Sequence, residues 1–322
     1  MSVSVIIAAY NAAPFIGRAI DSALAQTLPP LEILIADDCS TDATRAVLEA
    51  AAQEHPTIRV IAMSCNAGPS AARNAAIREA KGEWLAVLDA DDAFAPTRLA
   101  TLQAFAEATK ADFVADDLGL YDAVAGRVSG SGIGRDAVLP EGPIGLRDYL
   151  AHNLANGRGL DWGLLKPFLR RTTLLERGIS YDETITHGED FRLVVDLLLS
   201  GAKFRILAQP LYLYTQREGA LSQRASGMTR TSIAYGRLKE AALALALDAR
   251  IAADPELVAL LRQRADGLGR LDDAHFLSIA LRQKAVRQIA LRSAKDPSFM
   301  PFMLAQIGRA LRRRLRFGLS YR

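Results

Sequence analysis

The sequence predicts an α/β fold with a mostly parallel central sheet, followed by a helical region. In the first ninety residues, apolar runs of strand length alternate with segments whose apolar residues repeat at helical spacing. These runs are Val3–Ala9, Leu31–Ala36, Ile58–Met63 and Trp84–Leu88. A polar cluster follows each run. After about Thr229 only Ala-, Leu- and Arg-rich helical spacing is left, which indicates helices alone.

The segments between these runs predict the first three helices. The first has apolar residues at helical spacing over Phe15–Leu24, and Pro29-Pro30 breaks the chain before the second strand. We expect Ser40 or Asp42 to cap the second helix and Ser70 to cap the third. Their side-chain oxygens accept hydrogen bonds from the unpaired N–H groups of a helix start. This alternation predicts parallel strands with helices on both faces.

The pattern loosens after the fourth strand. The predicted short strands are Phe113–Ala115, Leu118–Tyr121, Trp162–Leu169, Lys203–Ile206 and Leu211–Tyr214. Helices are predicted over Thr97–Thr109 and Arg171–Arg177, and a further helix begins at Glu189-Asp190. The Gly-rich segment Ala125–Pro143 is predicted to be a loop or a hairpin.

The composition limits the class of protein. Half of the 322 residues are hydrophobic and 23% are charged, which predicts a substantial core. The net charge of +3 is too small to indicate a nucleic-acid partner. Cys39 and Cys65 are the only cysteines, as expected in a reducing compartment. Without a signal-peptide pattern or an apolar run of spanning length, we expect a cytoplasmic protein, or one on the inner face of the cell membrane.

Three carboxylates follow the fourth strand. Asp89, Asp91 and Asp92 come directly after Trp84–Leu88, at the edge of the sheet where open α/β folds bind ligands. Aspartates this close together repel one another, and a divalent cation with oxygen ligands, Mg²⁺ or Mn²⁺, would relieve that repulsion. The alternative is a solvated loop in which an aspartate forms an Asx turn or caps a helix.

Five motifs, in this order, resemble the family 2 glycosyltransferases of bacterial polysaccharide biosynthesis, which have the GT-A fold. The motifs are Val5-Ile6-Ile7-Ala8-Ala9-Tyr10-Asn11, Asp37-Asp38-Cys39-Ser40-Thr41-Asp42, Asn66-Ala67-Gly68-Pro69-Ser70-Ala71-Ala72-Arg73-Asn74, Asp89-Ala90-Asp91-Asp92 and Gly188-Glu189-Asp190. The resemblance covers roughly residues 3–215. It implies a GT-A domain over residues 1–222 and leaves residues 223–322 as a C-terminal helical extension.

The resemblance implies a nucleotide-diphosphate sugar as the donor. Ala8 would belong to the donor-binding site, and Tyr10 would stack on the base or border it. Asp38 would accept a hydrogen bond from the imide N–H of the base, which favours uracil and thus a UDP-sugar. Arg73 would approach the diphosphate or the base, and Asp89 would lie near the ribose.

The resemblance also implies a metal ion and a general base. Asp91 would hold Mn²⁺ or Mg²⁺ together with the donor, and Asp92 is a second metal ligand candidate. Asp190 would be the base, with Glu189 beside it as a second catalytic candidate. The implied reaction is inverting, because one carboxylate that deprotonates the acceptor hydroxyl suffices for a single in-line displacement at the anomeric carbon.

The acceptor would be a saccharide or a lipid-linked saccharide. The Gln-x-x-Arg-Trp signature of processive polymer synthases is absent, which favours transfer of a single sugar. A dinucleotide-dependent oxidoreductase is disfavoured because the turn Tyr10–Pro14 lacks glycine. A sugar nucleotidyltransferase would need a similar Gly-rich loop. A non-catalytic sugar-binding or scaffolding protein with the same fold stays open.

The last part of the chain predicts a basic amphipathic helix over Phe302–Phe317. Its apolar stripe consists of Leu304, Ile307, Leu311 and Leu315. Five arginines occupy the remaining surface, Arg309, Arg312, Arg313, Arg314 and Arg316. Such a helix suits peripheral contact with an anionic membrane. The alternative is a helix that packs on the protein and exposes its arginines to water.

Overall fold

The computed structural model describes residues 2–134, 138–157, 159–185, 187–216, 234–306 and 308. The strands are β1 Val3–Ala9, β2 Glu32–Asp37, β3 Ile58–Ala62, β4 Trp84–Asp89, β5 Ala93–Phe94, β6 Phe113–Asp122, β7 Arg127–Ser131, β8 Phe168–Arg170 and β9 Phe204–Gln216. The helices are α1 Ile16–Leu24, α2 Thr44–Glu54, α3 Pro69–Glu79, α4 Arg98–Thr109, α5 Leu146–Ala151, α6 Arg171–Arg177, α7 Glu189–Leu199, α8 Tyr235–Leu245, α9 Ala249–Ala252, α10 Pro255–Arg282 and α11 Val286–Lys295. Residues 299–306 are also helical.

The described strands form one sheet in the order β3-β2-β1-β4-β8-β6-β9-β5, and β7 pairs with β6. The pairings of β1 with β2 and β4, of β2 with β3, and of β6 with β9 are parallel. Strands β5, β7 and β8 run antiparallel to their neighbours. Six strands therefore point one way and three the other, which confirms the predicted mostly parallel sheet.

The core lies on both faces of this sheet. Strand β2 is buried along its whole length, as its continuous apolar run predicts. One hydrophobic cluster extends from the sheet into the C-terminal helices, where it includes Leu245 of α8 and Leu257 and Leu261 of α10. The predicted domain boundary at residue 222 lies outside the described residues, so it stays a prediction.

Two pairs of predicted short strands are each one longer strand. The predicted strands 113–115 and 118–121 are joined in β6, and 203–206 and 211–214 are joined in β9. The apolar pattern breaks at Asp116 and Asp117, where the β6–β9 register shifts. Asp116 is nevertheless buried, because Arg98 neutralises it. A charged side chain thus interrupted the pattern without interrupting the strand.

Several local predictions were wrong. Most of the predicted strand Trp162–Leu169 is not a strand: its last two residues belong to β8, Phe168–Arg170, and Trp162–Leu164 forms a 3₁₀ turn. Helix α2 begins after Ala43. Of its two predicted caps, Asp42 accepts the N–H of Thr44 at 2.9 Å at the helix start, and Ser40 does not cap it. Helix α3 begins after Gly68, and Ser70 donates to the Ile185 carbonyl instead.

The predicted hairpin and C-terminal helix had different outcomes. The start of the predicted segment Ala125–Pro143 forms β7, which pairs with β6 as a hairpin with a bulge between Leu120 and Tyr121. Residues 135–137 of the segment lie outside the described residues. The predicted helix over residues 302–317 lies largely outside the described residues. Among the helices that the structure describes, none is both long enough and apolar enough to cross a membrane.

Candidate active site

Strand register brings the predicted nucleotide-binding residues to one edge of the sheet. Ala8 of β1 lies directly beside Asp89 of β4, and Ala9 lies beside Asp37 of β2. Ala8 and Tyr10 are both partly exposed at this edge. The carboxyl ends of parallel strands meet there, so residues distant in the sequence share one surface.

The loop after β2 is fixed by hydrogen bonds to the loop after β3. Asp38 is buried, and its Oδ1 and Oδ2 accept the N–H groups of Ala67 and Gly68 at 2.8 and 2.9 Å. The Asn66 amide donates to the Asp38 carbonyl at 3.2 Å. Burial raises the pKa of Asp38 above its usual value, against the opposing effect of these N–H groups. Asp38 therefore fixes the loop that would surround a base.

The loop after β1 is tied to the same region. Asn11 adopts the left-handed conformation with a φ of 49°, and its side-chain oxygen accepts the N–H of Thr41 at 2.8 Å. The hydroxyl of Ser40 accepts the N–H of Asn11 at 3.0 Å. The Ser40 hydroxyl therefore binds the loop after β1 and does not form the predicted cap of α2.

Asp89 at the end of β4 lies between two cations. Its Oδ1 is 2.6 Å from Nη2 of Arg73, and its Oδ2 is 2.9 Å from Nζ of Lys166. Burial alone would raise the pKa of Asp89, but Lys166 and Arg73 outweigh it and hold that pKa well below its usual value. Asp89 is therefore a stable anion at this edge.

Asp92 anchors the turn that contains Asp89, Asp91 and Asp92, here called the aspartate turn, to β9. The Tyr212 hydroxyl donates to its Oδ2 and the Thr215 N–H to its Oδ1, both at 2.8 Å. Burial, together with the adjacent Asp91 and Asp89 carboxylates, raises the pKa of Asp92 well above its usual value. Both oxygens of Asp92 are thus already engaged by the protein.

The backbone at Asp91 is held from two sides. Its carbonyl accepts the Thr215 hydroxyl at 2.6 Å and Nη2 of Arg18 at 3.2 Å. Arg18 also donates to the Thr215 hydroxyl. The Asp91 side chain is partly exposed, unlike that of Asp92.

The three aspartates meet the basic requirements of a divalent cation site. One carboxylate oxygen from each of Asp89, Asp91 and Asp92 lies within 4.8 Å of the others. An all-oxygen set suits Mg²⁺ or Mn²⁺. Asp89 and Asp91 are partly exposed and Asp92 is buried, so the first two carboxylates are the more accessible to an ion.

The predicted base lies at the start of α7, after Gly188, which has a φ of 76°. Asp190 is buried, with its Oδ2 2.6 Å from Nζ of Lys166 and its Oδ1 accepting the Tyr181 hydroxyl at 3.0 Å. Glu189 pairs through Oε1 with Nη1 of Arg73 at 2.7 Å. The two neighbouring carboxylates therefore have different hydrogen-bond donors.

Arg73 is buried among carboxylates rather than exposed. It contacts Asp89 and Glu189, and its Nη1 is 3.8 Å from Oδ1 of Asp190. Burial would lower its pKa, but these carboxylates outweigh burial and raise it. Arg73 thus connects the aspartate turn to the start of α7. Its predicted contact with the donor stays a prediction.

Sequence reasoning missed Lys166. This buried lysine lies between Asp89 and Asp190 and contacts both. Burial would lower the pKa of Lys166, yet these two carboxylates raise it well above its usual value. The available signal was a lone cation within the apolar segment Trp162–Leu169, because a buried lysine requires a counter-ion.

Comparison with known proteins identifies the family. The family model described as glycosyl transferase family 2 matches residues 4–134. The succinoglycan biosynthesis protein ExoU of Rhizobium meliloti (strain 1021) is 36% identical over 308 residues, which span 95% of this chain and 86% of that protein.

The chain belongs to glycosyl transferase family 2. The succinoglycan biosynthesis protein ExoO of the same strain is also 36% identical to this glycosyltransferase, over 69% of this chain and 62% of that protein. The chain therefore matches less than two thirds of the length of ExoO.

A solved structure of S. aureus TarS 1-349 in complex with UDP-GlcNAc has a similar fold. Its TM-score is 0.62 at 20% identity, and the match covers 82% of this chain and 72% of that one. This likeness, together with the family, confirms the predicted GT-A fold of the glycosyltransferase.

Proposed function

We propose that this protein is an inverting glycosyltransferase that moves a single sugar from a UDP-sugar to an acceptor hydroxyl. One observation carries the proposal: Nζ of Lys166 contacts both Asp89, at the sheet edge where the donor would bind, and Asp190, at the start of α7. The donor-binding element and the candidate base are therefore close enough to act on one bound substrate pair. The similarity to ExoU, a succinoglycan biosynthesis protein, supports a role in bacterial surface polysaccharide synthesis.

Donor binding would use the edge formed by β1, β2 and β4. Tyr10 and Ala8 are partly exposed beside the loop that Asp38 holds. The uracil ring would lie against Tyr10, and a remaining lone pair of the Asp38 carboxylate would accept its imide N–H. Asp89 would lie near the ribose, since it neighbours Ala8 across the sheet.

Asp91 would hold Mn²⁺ or Mg²⁺, and Asp92 would support it by fixing the turn against β9. A bound divalent ion would neutralise the charge that develops on the leaving diphosphate. The turn is already held by Thr215 and Tyr212, so Asp91 would need little rearrangement to take the ion.

Asp190 would accept the proton of the acceptor hydroxyl as that oxygen attacks the anomeric carbon. Its two oxygens offer about four acceptor positions, of which Lys166 and Tyr181 use one each. Glu189 would act indirectly by holding Arg73 in place. Because one displacement needs only one base, this arrangement supports inversion.

A donor screen tests the proposal. The full chain would be incubated with a panel of nucleotide-diphosphate sugars and Mn²⁺ or Mg²⁺, and nucleotide release and transfer to lipid-linked saccharides would be measured. We expect turnover with a UDP-sugar, and a product of inverted anomeric configuration by NMR. No turnover, together with no UDP-induced thermal stabilisation, would instead support the non-catalytic scaffold.

We propose in addition that the protein contacts the inner face of the cell membrane, where a lipid-linked acceptor would lie. Helix α11 has no buried residue and no acidic residue. At 100° per residue, its exposed face combines apolar and basic side chains, Val286, Arg287, Ala290, Leu291, Ala294 and Lys295. Such a surface suits an anionic interface.

A flotation assay tests this contact. Val286→Glu with Leu291→Glu should abolish co-flotation with phosphatidylglycerol vesicles, because both side chains are exposed, at 73% and 54%. The control is Val124→Glu, at a 90% exposed position in the β6–β7 turn. Equal flotation of both variants would refute the contact.

A further inference from the structure

The Asp190 carboxylate is held by two donors that come from separate segments of the chain. Nζ of Lys166, in the segment before β8, is 2.6 Å from its Oδ2. The Tyr181 hydroxyl, in the segment after α6, is 3.0 Å from its Oδ1. All three side chains are buried. Two donors on opposite oxygens prevent the carboxylate from rotating about its last single bond.

Both donors are themselves fixed by buried groups. The Lys166 carbonyl accepts Nη2 of Arg98 at 3.2 Å, and Arg98 pairs with Asp116 at 2.7 Å. The backbone of Tyr181 makes two hydrogen bonds to the Asn74 amide side chain, at 3.0 and 2.9 Å. The position of Asp190 is therefore set by the core of the protein and not by flexible surface side chains.

We propose that Lys166 and Tyr181 are positioning residues that aim the Asp190 carboxylate at the acceptor hydroxyl. This inference rests on the proposed function. Lys166 also contacts Asp89 at 2.9 Å, so its ammonium group helps to set the distance between Asp190 and the sheet edge at Asp89. In the reaction, the hydroxyl proton moves to Asp190 as the new C–O bond forms and the bond to the diphosphate breaks. Lys166 and Tyr181 keep their protons throughout.

The expected loss of activity on removing Lys166 or Tyr181 as a donor to Asp190 follows from geometry. A misplacement of about 1 Å at the reacting atoms can cost 10²-fold in rate. Lys166→Met removes the ammonium group at similar length, and Tyr181→Phe removes only the hydroxyl. We expect kcat for transfer to fall about a hundredfold in Lys166→Met and about tenfold in Tyr181→Phe. UDP affinity in the presence of Mn²⁺ should change less, by at most about fivefold, because both substitutions alter the surroundings of Asp190 more than those of Asp38 and Asp91.

A double-mutant cycle separates positioning from general structural support. Once Asp190 is replaced by asparagine there is no base to aim, so adding Lys166→Met or Tyr181→Phe should lower kcat by less than about threefold further. If the losses instead multiply, the two residues act independently of Asp190 and the proposal is overturned. Lys203→Met, at an exposed position, is the matched control and should keep the wild-type kcat.

The remaining outcomes also decide the question. Wild-type kcat in both single variants would contradict the positioning role of Lys166 and Tyr181 and leave the proposed transferase function standing. A wild-type protein that is inactive on every donor overturns both proposals. If Lys166→Met does not fold, because it removes one of the two cations that Asp89 and Asp190 share, Tyr181→Phe decides alone, since it retains the ring and every charge.

Discussion

Two buried ion networks in this protein differ in their balance of charge. Arg98 and Asp116 form a closed pair with fully buried side chains, and Nε and Nη2 of Arg98 both bond the carboxylate. The active-site network has two cations, Arg73 and Lys166, against three carboxylates. Those carboxylates are Asp89, Glu189 and Asp190.

The difference separates a structural pair from the network at the candidate site. The closed pair is balanced in charge and packs against the Phe94 and Tyr212 rings, so it needs no external ion. The active-site network keeps a net negative charge, and Asp89 and Glu189 retain 23% and 13% of their side-chain exposure. A bound divalent cation would offset this excess of partly exposed negative charge beside Asp91.

The largest expected effect comes from the active-site network. Asp190→Asn keeps the shape of the side chain but removes the proton acceptor, so transfer should fall by about two to four orders of magnitude. Initial rates of transfer at saturating donor check this, with UDP binding by calorimetry as the control. A drop of less than tenfold would show that Asp190 is not the base.

The closed pair should respond in stability. Arg98→Met leaves Asp116 buried without a counter-ion, so the free energy of unfolding should fall by about 3–5 kcal/mol. Urea denaturation followed by circular dichroism measures this change. Asp190→Asn, in the same experiment, should stay much closer to the wild type, because Lys166 keeps Asp89 as a partner. Equal losses in both variants would remove the distinction between the two networks.

The aspartate turn offers a test of cation binding. Asp91→Ala should keep the fold but lose the Mn²⁺-dependent stabilisation by UDP, which at a hundredfold excess over Kd is about 2.7 kcal/mol. Differential scanning fluorimetry with and without EDTA measures this. If Asp91→Ala still requires metal and turns over normally, the ligand role moves to Asp92.

The smallest effect concerns an exposed ion pair. Arg147 of α5 and Glu256 of α10 are 2.9 Å apart, and both side chains are more than half exposed. Water and salt screen such a pair, so Glu256→Gln should change the free energy of unfolding by less than about 1 kcal/mol. The measurement is again urea denaturation. A loss near that of Arg98→Met would mean that burial does not determine how much each ion pair contributes to the free energy of unfolding.

The sequence by itself determined the family and the order of the elements from β1 to β4. Continuous apolar runs identified β1 to β4, because burial on both faces leaves a signal within a few neighbouring residues. The five motifs made Asp38, Asp91 and Asp190 candidate site residues for the same reason, since each motif is local.

Only the tertiary structure decided which charges meet. Lys166 contacts Asp89 and Asp190, yet it stands in a segment without a motif. Asp92 belongs to a metal-like motif but is held by β9, more than a hundred residues later. Local patterns record which face of an element is apolar, whereas an ion pair depends on how distant segments pack. The partners of the buried charges therefore emerged only from the folded chain.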